Sequence, residues 1–176
     1  MKHIHRLALA PVLVCALGLE LGAQMTREQA VSGMRKVEAR EMDPTYTQAA
    51  PFAQKLVDEA LAKHPEVILL AIHAQPRGHK NVIVASNFGR IGKIGDEDDM
   101  RCIHTGKPNL EVPPKGDRFE VEFALKDKSG KTIGAVGAVF NYKAGDDKAA
   151  LEKIANEIGA EMQEQLPNAS ALFKAA

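Results

Sequence analysis

An α+β fold is predicted, and three observations predict it. Asp117 to Tyr142 reads as two long strands joined by a tight polar turn, Val67 to His73 is a short continuous apolar run, and apolar stripes of helical period lie outside these strands. The resulting order is helix, helix, strand, strand, short helix, strand, strand, strand, helix. Strands are not interleaved regularly with helices, so the order fits an antiparallel sheet better than a parallel α/β one.

The first helix is marked by Thr26 and Gln29, whose spacing is that of a capping box. Ala30, Val31, Met34 and Val37 then give a narrow apolar stripe that carries the predicted helix to Glu41, before Asp43-Pro44 interrupts it. The second helix has a fuller face, with Ala49, Phe52, Ala53, Leu56, Val57, Ala60 and Leu61 recurring at three and four until His64-Pro65. These helices are expected to pack together on one face of the sheet, or the first to project and pair with another subunit.

Val67 to His73 is too short for a buried helix and rich in branched residues, so it reads as a buried strand. Gln75 to Gly78 turns the chain, and Val82 to Ser86 returns as its hairpin partner. Asn87 to Gly95 then holds three glycines and two cations, a backbone suited to sharp turns and close approach. The acidic run Asp96 to Asp99 sits where a short helix should start, because carboxylates offset the positive end of a helix; Gly106 and Pro108 end it.

Asn109 to Val112 is a short strand, followed by the turn Pro113 to Gly116. Phe119, Val121, Phe123 and Leu125 alternate with Arg118, Glu120, Glu122 and Lys126, so the next strand buries one face and places Glu120 and Glu122 in solvent. Asp127 to Gly130 supplies the hairpin turn. Ile133 to Phe140 is almost wholly apolar and small, which predicts an interior strand covered on both faces. Leu151, Ile154, Ala155, Ile158 and Met162 stripe a last helix, and residues 168–176 are expected to fray.

Compartment is read from the first residues. Lys2 and Arg6 precede an apolar run of 13 residues, Leu7 to Leu19, and Leu21-Gly22-Ala23 offers small residues for cleavage. The run is short of the roughly 20 residues that span a bilayer. Residues 1–23 therefore read as a signal peptide, with a mature chain near Gln24 that is periplasmic or secreted. Lys2, Arg6 and Glu20 leave with that segment, so 21 basic and 22 acidic residues remain. Such near neutrality speaks against nucleic acid, which requires a basic face to replace phosphate counterions. The mature chain holds one cysteine, Cys102, and forms no internal disulfide; it reads as a small buried residue of the short helix. With neither a haem-attachment motif nor paired-cysteine zinc spacing, no cofactor and no metal are expected. His73, His79, His104 and the Asp96 to Asp99 run match no metal-ligand pattern; a capped helix and scattered histidines explain them.

Two strands, a helical excursion and three strands is also the order of a PAS-like domain. VILLAIHAQPRG with VIVASN, IGKIGDEDDMRCIHTGKP, and GDRFEVEFALKDKSGKTIGAVGAVFNYKAGDD together resemble a small single Cache domain, the extracytoplasmic variety with leading helices. The resemblance implies a five-stranded antiparallel sheet in order 2-1-5-4-3, with residues 24–63 as a helical segment and 64–167 as the ligand-binding domain. It implies a small metabolite as ligand, held between the sheet and the crossover from Asn87 to Pro108. Such domains usually feed a signalling module; none follows here, so a membrane-bound signalling partner is expected, and a homodimer through the N-terminal helices is allowed.

On that reading the ligand contacts are His73 at a strand end, Ser86 and Asn87 where the second strand leaves the sheet, Arg90 in the crossover, and Arg118 and Tyr142 at the ends of the central strands. Arginine suits carboxylates because its planar fork makes two parallel hydrogen bonds. The expectation is a binding module and not an enzyme. Two alternatives stay open: a small enzyme, for which Ser86, His73 and Glu120 can be assembled on paper, and a purely structural module.

Overall fold

The computed structural model describes residues 24–176; the predicted signal peptide lies outside the described residues. Five strands, β1 (Val67–Ala74), β2 (Val82–Ser86), β3 (Asn109–Glu111), β4 (Arg118–Lys126) and β5 (Thr132–Asn141), form one antiparallel sheet in order β2-β1-β5-β4-β3. Among the described residues four α-helices accompany it: α1 (Arg27–Ser32), α2 (Pro51–Lys63), α3 (Glu97–Thr105) and α4 (Lys148–Gln165). The predicted α+β class and strand order are both observed.

The two faces of the sheet have different roles. One face carries Leu70 and Ile72 of β1, Phe119, Val121, Phe123 and Leu125 of β4, and Val136, Ala138 and Phe140 of β5, packed with α2 and α4 into the main core. Each of these residues alternates with a neighbour on the opposite face, because successive side chains of a strand point to opposite sides. That opposite face is covered by α1 and α3. Ala30 of α1 packs with Ile68, Leu69 and Val139, and α3 lies against β4 and β5. β5, central and small, is thus covered on both sides as its composition predicts.

Three expectations are corrected. The first helix stops at Ser32, where the Gly33 N–H caps it on Gln29 O and Val31 O, and the chain reaches Glu41 through an irregular stretch and a 3-10 turn at Ala39–Glu41. A stripe of four apolar residues is too little surface to hold a fifteen-residue helix against the sheet. α1 and α2 also pack on opposite faces instead of together, and α1 does not project. Arg27 donates to Val67 O at 3.0 Å and Leu61 O at 2.8 Å, while the Asn141 side chain accepts from Met25 N at 3.0 Å and donates to Met25 O at 2.9 Å. Nor does the C-terminal segment fray. Ala169–Phe173 forms a 3-10 helix whose Ala171 and Leu172 are buried in the main core beside α2.

Candidate functional site

Small residues on the α3 face of the sheet leave a hollow. Ala71 of β1 pairs with Gly137 of β5, which pairs with Glu122 of β4, so this row has little bulk at its centre. A Cβ at Gly137 would stand at ordinary contact distance, 3.4 Å from Glu120 Oε1 and 4.0 Å from Glu122 Cγ, so both side chains lie over the glycine. The cavity has a volume of about 270 Å³. Its floor is Leu69, Ala71, His73, Gly137, Val139, Glu120 and Glu122; its cover is Phe88, Arg90 and Lys93 of the crossover with Asp96, Asp98 and Asp99 at the start of α3. Met34, Arg35, Glu111 and Arg118 complete the rim.

The cover is fixed by its glycines and by backbone bonds. Gly92 has φ +88°, and a Cβ there would collide with the Tyr46 carbonyl oxygen, so the crossover lies directly on the 43–46 turn. Asp43 N donates to Gly92 O at 2.8 Å, and Gly92 N to Ile83 O at 3.0 Å. Arg90 is the one non-glycine with positive φ among the described residues, at 61°. That region disfavours side chains, and the Arg90 guanidinium is tied to the Arg35 carbonyl.

Acidic groups dominate the lining. Six carboxylates (Asp96, Asp98, Asp99, Glu111, Glu120, Glu122) face four cations (Arg35, Arg90, Lys93, Arg118), a surplus of two negative charges when all are ionised. Burial, reinforced by the neighbouring carboxylates, pushes Glu122 up to about 8 and Glu120 up to about 7. Asp99, 2% exposed, is raised to about 6, again chiefly by burial. His73 is 6% exposed and burial drives its pKa down to about 3, so the ring is neutral. Its Nδ1 lies 3.3 Å from Asp99 Oδ2, which on distance alone resembles an ion pair. A neutral ring makes none, and Nδ1 has no hydrogen-bond partner.

Of the predicted contacts, His73, Arg90 and Arg118 line the cavity. Arg118 reaches it beneath Gly33, where a Cβ would come within 2.9 Å of its guanidinium. Ser86, Asn87 and Tyr142 do not. The Ser86 hydroxyl donates to Gly89 O and closes the turn. Asn87 accepts from Leu70 N at 2.9 Å and donates to Ile68 O at 3.0 Å, continuing the ladder where β2 has ended. Tyr142 packs on Phe119 at 5.9 Å between ring centroids, with the main core on the other face. The proposed trio of Ser86, His73 and Glu120 is therefore not assembled.

Glu120 and Glu122 correct a further expectation, since they face the cavity and not bulk solvent. The signal was present in the apolar β5. The cover over the second face of this central strand extends onto β4 beside it, where α3 also lies. Asp96 and Asp99 do form the predicted helix cap, Asp99 Oδ2 accepting from Asp96 N at 2.9 Å. Their carboxylates also come together with Glu122, with one oxygen of each within 4.8 Å of the others, a set able to hold a metal ion. His79 instead bonds Asp43 at 2.9 Å, and His104 is exposed on α3. Cys102 is buried with its thiol on Glu122 O at 3.6 Å, and burial raises its pKa, which makes it a poor nucleophile.

No family model matches the sequence, and no curated protein matches it. Solved structures do match in fold. A GAF domain aligns with a TM-score of 0.48 at 10% identity, over 67% of this chain and 78% of that chain. The inducer-binding domain of the transcription factor PobR from Acinetobacter, in complex with 3-hydroxybenzoic acid, aligns at 0.40 and 12%, over 66% and 95%. A type II free methionine-R-sulfoxide reductase from Thermoplasma acidophilum aligns at 0.42 and 18%, over 66% and 92%. At these identities the likeness is one of fold, a GAF/PAS-like architecture. A reductase stands among these neighbours beside ligand-binding domains, so the expectation of a chain that is not an enzyme is corrected to an open one.

Proposed function

We propose that the chain is an exported, Cache-like binding module that takes a small polar metabolite with a cationic centre in the cavity between the sheet and α3. The observation that carries this reading is the surplus of carboxylates around the cavity, three of them with pKa values raised to about 6, 7 and 8. Buried carboxylates crowded together repel one another, and an incoming cation relieves that repulsion directly. Arg90 in the cover and Arg118 on the rim suit an anionic group on the same ligand. Export rests on Lys2, Arg6 and the apolar run after them, and a membrane-bound partner would read the occupancy.

The test is identification of small molecules released from the purified chain, with thermal melts across amines, amino acids and small acids. A released cation-bearing compound that raises Tm is expected. No released compound and no shift across the panel overturns the reading. Export is checked by the mass of the protein recovered from the producing cell: a first residue near Gln24 is expected, and retention of residues 1–23 contradicts it.

A second reading has a specific observation behind it. Glu120 and Glu122, with pKa values raised to about 7 and about 8, are suited to proton transfer near neutral pH. Turnover of a bound ligand that disappears in both Glu120→Gln and Glu122→Gln would establish it; unchanged turnover in both would exclude these residues.

A further inference from the structure

The corner of the cavity beneath α3 carries more ligating groups than the helix cap needs. Asp96 and Asp99 have a structural explanation in each other, and Asp96 Oδ2 also meets Lys93 Nζ at 3.1 Å. Glu122 has none of this kind. It comes from β4, is 9% exposed, and its only side-chain hydrogen bond among the described residues is a long one of 3.4 Å from Asn109. His73 is the independent observation. It lines the same cavity from β1, two strands away across β5, with Nδ1 buried, facing Asp99 Oδ2 at 3.3 Å and bonded to nothing, just outside the carboxylate oxygens that lie within 4.8 Å of one another. Buried polar atoms are rarely left so, because their lost hydration is not replaced.

Three carboxylates are already gathered for a divalent ion, and the unbonded ring nitrogen beside Asp99 is placed to close on it as a fourth ligand. We propose that Asp96, Asp99 and Glu122 bind one divalent first-row transition-metal ion of the Zn²⁺ type, with the His73 ring turning onto it as the fourth ligand. The imidazole nitrogen selects this class over Ca²⁺ and Mg²⁺, which prefer all-oxygen shells. A 2+ ion also matches the lining's surplus of two negative charges. The inference rests on the reading of this cavity as the binding site and names what one corner of it takes. Glu120, Arg90 and Arg118 remain to meet the organic group.

The test is calorimetric titration of the chelator-treated full chain with Zn²⁺, paired with the visible spectrum of the Co²⁺ form. One Zn²⁺ per chain is expected, with affinity weakened at least about tenfold in His73→Ala and in the isosteric Glu122→Gln, and unchanged in His104→Ala. The Co²⁺ absorption band shifts in His73→Ala if the imidazole is a ligand. Absence of stoichiometric Zn²⁺ and Co²⁺ binding by the wild-type chain overturns the proposal, as does Zn²⁺ affinity unchanged in folded Glu122→Gln and His73→Ala. The two readings separate cleanly. An amine-induced Tm shift in metal-free protein that binds no metal removes the ion alone, whereas metal binding with no organic ligand removes the metabolite alone.

Discussion

Glu122 shows how one residue can cost stability and serve a site. Its pKa is raised from 4.5 to about 8, first by burial and then by Asp99 and Glu120, so the folded chain holds a proton that the unfolded chain releases. The contribution to stability is therefore full below about pH 4.5 and is lost as the pH rises towards 8. Glutamine cannot ionise and escapes that loss. Glu122→Gln is expected to melt higher than wild type at pH 8, by a margin that shrinks towards pH 5, in paired thermal melts. A margin independent of pH contradicts the shift. A ligand with a cationic centre should likewise bind with release of protons between about pH 6 and 8, and more tightly as the pH rises through that range. Nothing in the local sequence of Glu122 reveals this. Alternation places it correctly on the second face of β4, but only the crossover and α3, folded back over that face, take it out of solvent.

At the scale of elements, each strand was legible because its pattern is local: unbroken in β1 and β5, alternating in β4. Helices α2 and α4 were legible for the same reason, each carrying a full apolar face. The misreadings fall where tertiary contacts decide. Met34 and Val37 continue an apolar stripe that the structure breaks after Ser32. The C-terminal segment has only Ala171, Leu172 and Phe173 to signal burial, too few for a periodic pattern, yet they pack beside α2. Leu172 is fully buried, so Leu172→Ala is expected to lower stability by about 2–4 kcal/mol, measured by urea unfolding. A change below about 0.5 kcal/mol would restore the frayed tail. At the end of β2, Ser86 and Asn87 have the position and chemistry of ligand contacts, but their hydrogen bonds go to Leu70, Ile68 and Gly89 of their own scaffold. A polar side chain at a strand end has a backbone to satisfy before it has a ligand.

For the whole molecule, the division of labour between the two sheet faces is the organising fact. One face supplies the core with α2 and α4; the other trades packing for a cavity, with Gly137 at its centre and carboxylates where a core would have methyl groups. Gly137 permits the most direct measurement. Valine is favoured in a strand, and a Cβ there meets Glu120 and Glu122 at ordinary contact distances, so the side chain narrows the hollow from its floor. Thermal melts of wild type and Gly137→Val against amines, amino acids and Zn²⁺ should show at least one compound raising the wild-type Tm by roughly 5–10 °C at saturation and leaving the folded variant unmoved. A shift of equal size in Gly137→Val, or no shift in either protein, would contradict binding in this cavity.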